Sequence, residues 1–476
     1  MKIARPPGPR DRFFGLGLLR DMQRDYLGFY RDAQKTFGDA VFMQVAGVDT
    51  YSFMHPDQIR EVLVDKASSF IRYERHMDVL GQLHGQSVLI TEGDVWRKQR
   101  RTLQPGFSPK RFEGYARQMT ESASGVLEQL PGGEPIDFEH AMNMLAINVI
   151  LRTMFSATTP ADTAGIEHAV RVLSQTAYRE MFQPVSLPDW LPLPAKRAKR
   201  QARKLLDELI WSHIKARRAS GEKRDDLLGM LLTATDSEGD ASLMSDTQVR
   251  DQLMTTFMAG HETTASGLTW AGWVLASHPD VAEKATREID AALQGRVPDF
   301  SDLARLPFLG QVIKETLRMY SPAPGVFMRR ATTDVQIGQW LVPKGSLVSI
   351  LSTLPQRDPR WFADPDKFDP ERFAPDAAKL IPRGAYFPFG TGPRVCIGNS
   401  FATMEMMLML AMLLQRYTLR PAPGKQQPGI ILQVTMRPEG GLRLILDKRP
   451  ALMALDHVDP VAVSGCPFHP GTAMKA

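Results

Sequence analysis

Phe389-Gly390-Thr391-Gly392-Pro393-Arg394-Val395-Cys396-Ile397-Gly398 decides how this chain reads, because Cys396 is one of only two cysteines in 476 residues. Glycines at 390, 392 and 398 allow the backbone to bend tightly around one sulfur. Arg394 places a fixed positive charge two residues away, and a helix-like run starts at Asn399. A thiolate just before a helix N-terminus is stabilised by unpaired N–H groups and the positive end of the helix dipole, so the sulfur is expected as an anion.

A catalytic cysteine would need a histidine partner, and a zinc or iron–sulfur site would need several more Cys or His nearby. The other thiol, Cys466, lies far along the chain. One thiolate suffices for axial ligation of haem iron, where it pushes electron density toward O–O cleavage. The plain alternative is a small buried hydrophobe in a glycine-rich loop.

The window resembles the haem-binding loop of the cytochrome P-450 family of haem-thiolate monooxygenases. Other segments match in that family's order: Trp96-Arg97-Lys98-Gln99-Arg100, Ala259-Gly260-His261-Glu262-Thr263-Thr264, and Glu315-Thr316-Leu317-Arg318 with Phe368-Asp369-Pro370-Glu371-Arg372-Phe373. The resemblance spans roughly Pro6 to Leu446. It implies an α+β, mainly helical fold, a triangular prism with haem b between a long distal helix and the helix after the thiolate loop, and small sheets at one side. It makes Cys396 the iron ligand, Thr263 the alcohol that hydrogen-bonds bound dioxygen, and Glu262 the acid that helps relay protons. It also places Trp96, Arg100, Ala259, Gly260, Arg329, Phe389, Gly390, Arg394 and Gly398 around the cofactor, with Arg330 a possible substitute for Arg329 at a propionate. Glu315, Arg318 and Arg372 become a buried structural network that steadies the loop before Cys396.

The residues carry part of this unaided. Ala259, Thr263 and Gly267 are four apart and share a helix face of small residues around one hydroxyl, which leaves room above a cofactor. Glu262 and Thr263 can disturb the helical hydrogen bonds, so a local opening is expected there. His261-Glu262 begins a zinc-peptidase motif, but Ala265 stands where the second histidine is needed.

Hydrophobic residues at 43% and charged residues at 23% fit a folded protein with a large core and exclude disordered and fibrous classes. The net charge of +5 has its densest run at Lys196-Arg197-Ala198-Lys199-Arg200-Gln201-Ala202-Arg203-Lys204, without interleaved aromatics, and reads as a solvated helix face rather than a nucleic-acid site. By the resemblance, the basic balance suits an acidic ferredoxin or flavodoxin donor. No apolar run reaches the ~18 residues of a membrane helix, and two distant cysteines suit a reducing compartment, so a cytoplasmic monomer is expected.

Val41 to Phe53 alternates as a hairpin about Gly47. Helical spacing dominates from Gly93 to Phe300, with breaks near Pro131, Thr159-Pro160, Pro184 to Pro194, and Asp236 to Asp240. Short strands follow Pro322, a long helix follows Cys396, and Leu432 to Leu446 reads as a closing strand pair. One domain is expected over 1–460, with a mobile tail at 461–476. Segments Met77 to Leu83, Phe182 to Leu191, Met254 to Ala259, Pro324 to Met328 and Val434 to Met436 are apolar and are expected to line a pocket for a hydrophobic substrate. Two rivals stand beside the O2-dependent monooxygenase: a peroxide-driven or rearranging haem-thiolate enzyme, and a haem sensor suggested by Cys466-Pro467.

Overall fold

A computed structural model describes residues 5–11, 14–157, 163–183, 187–234, 244–424 and 427–450. Cys466, the 461–476 tail and the expected breaks at Thr159-Pro160 and Asp236 to Asp240 lie outside the described residues.

The alternation after Val41 folds as expected. β1 (Ala40–Val45) and β2 (Val48–Phe53) are antiparallel, joined by Ala46 and Gly47 at φ of 48° and 81°. Positive φ at both turn residues matches the right-handed strand twist, and Gly47 adopts it without strain. The other strands are β3 (Phe70–Arg72), β4 (Pro135–Asp137), β5 (Gly325–Ala331), β6 (Val335–Ile337), β7 (Trp340–Val342), β8 (Leu347–Leu351), β9 (Tyr417–Pro421), β10 (Ile430–Leu432), β11 (Met436–Pro438) and β12 (Arg443–Lys448). The largest sheet has the order β1-β2-β8-β5-β3, with β2 and β8 parallel and the other pairs antiparallel.

The expected closing strand pair is corrected. β11 pairs with β10, whereas β12 lies between β4 and β9 in another sheet. Gly440 and Gly441, at φ of 71° and 76°, redirect the chain between them, so β11 and β12 never face each other.

The helices that frame the site are α1 (Glu74–His84), α2 (Gly93–Leu103), α3 (Phe138–Phe155), α4 (Thr163–Phe182), α5 (Pro194–Ser220), α6 (Asp246–Ser277), α7 (Pro307–Met319) and α8 (Asn399–Arg416). At 32 residues, α6 is about 48 Å long. It starts from a capping box in which Gln248 N–H donates to Ser245 Oγ and Ser245 N–H donates to the Gln248 side chain. Apolar residues surround its axis because other elements cover it on nearly every side. Its N-terminal half packs with α3, α4 and α5 through Leu253, Phe257, Ile150, Leu173 and Leu206. Its C-terminal half joins α7 and α8 through Leu268, Trp270, Val312, Leu408 and Met412. At Gly272 a Cβ would lie 2.2 Å from Phe138 Cε1, so the crossing with α3 requires glycine.

The basic run at the start of α5 is only partly solvated, which corrects the expectation. Lys196 and Lys199 are buried, and each pairs with Glu180 of α4 and with Asp189, at 2.6 to 2.9 Å. Two carboxylates opposite two ammonium groups remove the charge that burial would otherwise penalise.

Candidate active site

Cys396 lines a cavity of about 510 Å³ between α6 and α8. Its loop curls back on itself through Cys396 N–H to the Phe389 carbonyl at 2.9 Å and Gly390 N–H to the Phe387 carbonyl at 2.9 Å. Gly392 has φ +74°, and a Cβ there would fall 1.9 Å from the Leu63 carbonyl oxygen, so no side chain fits. The cysteine is open to the cavity yet enclosed by protein, and burial pushes its thiol up. The Gly398 amide and the Arg100 charge offset this only in part. In the loop itself enclosure outweighs the helix terminus, and a cation at the sulfur would bring the thiol back down. The nearby charge also differs from expectation. Arg100 supplies it, because Arg394 turns away to sit 3.9 Å over the Trp96 ring and to bond Glu92.

Behind the loop, Glu315, Arg318 and Arg372 meet. Arg318 makes a two-pronged bond to Glu315 at 2.6 and 2.9 Å, both side chains fully buried, and Arg372 Nε lies 3.4 Å from the same carboxylate. Asp369 N–H also donates to Glu315, at 2.9 Å. The connection to the thiolate loop runs through a residue that sequence reasoning missed. Gln356 receives Arg318 at its carbonyl, at 2.8 Å, and its side-chain oxygen accepts Phe387 N–H at 3.1 Å. This chain of bonds runs from the ion pair to the strand of loop just before Cys396.

On the cavity's other flank three guanidiniums share one carboxylate. Arg72, buried on β3, donates to Glu92 at 2.8 Å and to the Thr91 carbonyl at 2.5 Å. Arg394 bonds Glu92 and the Thr91 carbonyl, and Arg329 lies close enough for its charge to act on both the others. Burial, with the neighbouring arginine charges, pushes Arg329 down to about 10 and Arg394 down to about 9. Among the described residues, Arg394 Nη1 is buried without a partner. One carboxylate against three cations leaves an excess of two positive charges, which suits a ligand with two carboxylates such as haem. Trp96 and Arg100 line the same cavity. Arg330 points elsewhere, to Glu74 at 2.7 Å and over the Tyr73 ring, so the choice between the adjacent arginines favours Arg329. Arg72 and Glu92 carried no motif that could have announced them.

Ala259, Gly260, Glu262 and Thr263 of α6 line the cavity with Phe389, Gly390 and Gly398. Gly267 does not: it faces Met406 and Pro322, where a Cβ would meet the Met406 thioether at 3.1 Å, so its small size admits α8 rather than a ligand. The expected opening in the helix is absent, since α6 is α-helical throughout. Thr263 Oγ1 donates to the Ala259 carbonyl at 2.7 Å, a bond that a hydroxyl makes alongside the helical ladder. Glu262 is drawn sideways instead. Ser174 of α4 donates to it at 2.5 Å and Thr435 at 2.8 Å, and burial raises its pKa despite both bonds.

The remaining lining confirms parts of all five apolar segments, including Val79, Leu80, Phe182, Met258, Val326 and Val434. Met77 and Met254 are core residues, and Trp190 is 75% exposed away from this cavity. The lining also carries polar residues that were not expected, among them His76, His84, Tyr178 and Gln82.

The sequence model of one family, described as Cytochrome P450, matches residues 6–445. Cyclooctatin synthase of Streptomyces melanosporofaciens is 35% identical over 415 residues, spanning 87% of this chain and 89% of the relative. Cyclooctat-9-en-7-ol 5-monooxygenase of the same organism is 34% identical over 81% of this chain and 84% of the relative. Pentalenene oxygenase of Streptomyces avermitilis is 31% identical, over 87% of this chain and 91% of the relative. Among solved structures, retinoic-acid-bound cyanobacterial CYP120A1 superposes with a TM-score of 0.81 at 27% identity, covering 94% of this chain and all of that one.

Proposed function

The chain belongs to the cytochrome P450 family, and from that premise we propose that it oxygenates a terpenoid at a haem held by Cys396. As a member it is a haem-thiolate monooxygenase, inserting one oxygen atom from O2 into a hydrophobic small molecule with electrons from a separate redox partner. The terpenoid class comes from the relatives' names and from the apolar cavity. When bound, haem supplies the oxygen activation, for which a thiolate ligand favours O–O cleavage.

The chain's own residues hold and supply that chemistry. Cys396 would give its sulfur to the iron, and Arg100, Arg329, Arg394 and Trp96 would hold the two carboxylates by charge and N–H donation. Thr263 keeps its proton at Oγ1 and can turn it from the Ala259 carbonyl toward the cavity. Glu262 holds a proton to higher pH than an exposed carboxylate and can pass it inward. Glu315, Arg318, Arg372 and Gln356 fix the loop so that the sulfur does not wander. The proposed donor is an acidic ferredoxin or flavodoxin, supported by the net charge of +5. We also propose a cytoplasmic monomer with one catalytic domain. Among the described residues, no helix is long and apolar enough to cross a membrane.

The observation that carries this reading is Cys396 lining one cavity together with Thr263 and the uncompensated arginines. Substituting Thr263→Ala tests it. With NADH, a ferredoxin and its reductase, product formed per NADH should fall several-fold, with the balance appearing as hydrogen peroxide. Unchanged coupling, or equal turnover by wild type on peroxide alone, would contradict the proposed route.

A further inference from the structure

Among the polar groups of the cavity wall that the oxygen chemistry leaves unused, one stands beside the threonine face of α6. Thr255, Ala259 and Thr263 follow each other at four-residue spacing on α6, and Thr255 and Thr263 are therefore about 12 Å apart along the axis. His84, the last residue of α1, stands beside Thr255 and lines the cavity. It is only 5% exposed.

Its two ring nitrogens differ. Thr255 Oγ1 lies 2.7 Å from Ser87 Oγ, and His84 Nδ1 lies 3.2 Å from the same Thr255 oxygen. Where Thr255 gives its proton to Ser87, it accepts at Nδ1; where Ser87 donates to Thr255, Thr255 donates to Nδ1 and the ring proton sits on Nε2. In either tautomer Nε2 has no hydrogen-bond partner among the described residues and belongs to a side chain that lines the cavity, and a hydroxyl can answer it as donor or as acceptor. Burial, then the charge of Arg250, hold the imidazole down at about 4, so the ring is neutral near pH 7.

We propose that His84 Nε2 anchors a hydroxyl group of the substrate, so that the enzyme takes a terpenoid alcohol and oxidises it at a carbon remote from that hydroxyl. The inference rests on the terpenoid reading above and adds the functional group and its position. A hydrocarbon would leave Nε2 dry and unpaired, whereas a hydroxyl can pair with it in either tautomer. Sites built to bond a hydroxyl discriminate strongly against analogues that lack it.

Retinol, retinal and the parent hydrocarbon axerophtene share one skeleton and differ in donor capacity. Each is titrated into the haem-loaded enzyme and followed by the shift of the haem absorption band. Retinol is expected to bind at least tenfold more tightly than axerophtene, and retinal to share that advantage only where Nε2 carries the ring proton. His84→Asn keeps a partner for Thr255 near the Nδ1 position but has nothing at Nε2, and should lose the preference. His84→Gln, whose amide reaches the Nε2 position, should restore tight retinol binding. A carbon monoxide spectrum and a melt identical to wild type establish that each variant is folded and loaded. Equal binding of the three ligands, or a preference that survives His84→Asn, overturns the anchor alone. No band shift with any retinoid overturns both the anchor and the terpenoid reading.

Discussion

Arg329 and Arg330 are neighbours with opposite surroundings. Arg329 lies among Arg72, Arg394 and Glu92, with its guanidinium depressed by burial, whereas Arg330 is tied to Glu74 at the outer side of the same strand. Arg329→Leu should therefore lower haem occupancy of the purified protein several-fold, measured as haem absorbance per protein, while Arg330→Leu leaves it near wild type. Equal losses would contradict the assignment. This choice was not legible from sequence, because alternation along β5 is broken by a register shift between Val326 and Arg329. Cys396, Glu262 and Thr263 were legible, since their motifs are contiguous. Ser174 and Thr435, which hold Glu262, were not: they lie 88 and 173 residues away, and only folding brings them to it.

At the level of elements, α8 carries one acid inside an otherwise apolar stretch. Glu405 is 2% exposed among Met404, Met406 and Leu408, and burial pushes its carboxyl up from 4.5 to about 8. In that window the folded state holds a proton that the unfolded chain releases, so stability is fullest below pH 4.5 and is lost as pH rises toward 8. The slope is at most on the order of 1.4 kcal/mol per pH unit. Glu405→Gln removes the titration, so its melting temperature should exceed that of wild type at pH 8 and the gap should close toward pH 5; a pH-independent gap would refute this. The long helices and the β1–β2 hairpin followed from periods of 3.6 and 2. The two lysines of α5 were misread because charge spacing does not disclose that Glu180 and Asp189 come down onto them.

Over the whole molecule, periodicity gave elements but not their partners. β2 and β8 pair in parallel, Thr50 opposite Leu347, and no local pattern connects residues so far apart; the arrangement was expected only through family resemblance. What the global fold achieves is to bring four distant stretches to one cavity: the arginine of β3, the hydroxyl and acid of α6, the Glu315 network behind, and the thiol of the loop before α8. Enclosure pushes the thiol up, and a bound cation would pull it back down. The most direct measurement is the absorption spectrum of the reduced, haem-loaded protein under carbon monoxide. The account predicts the long-wavelength band of thiolate ligation, lost in Cys396→His. A band of the imidazole-ligated globin type in the wild-type protein, or no pigment at all, would contradict it.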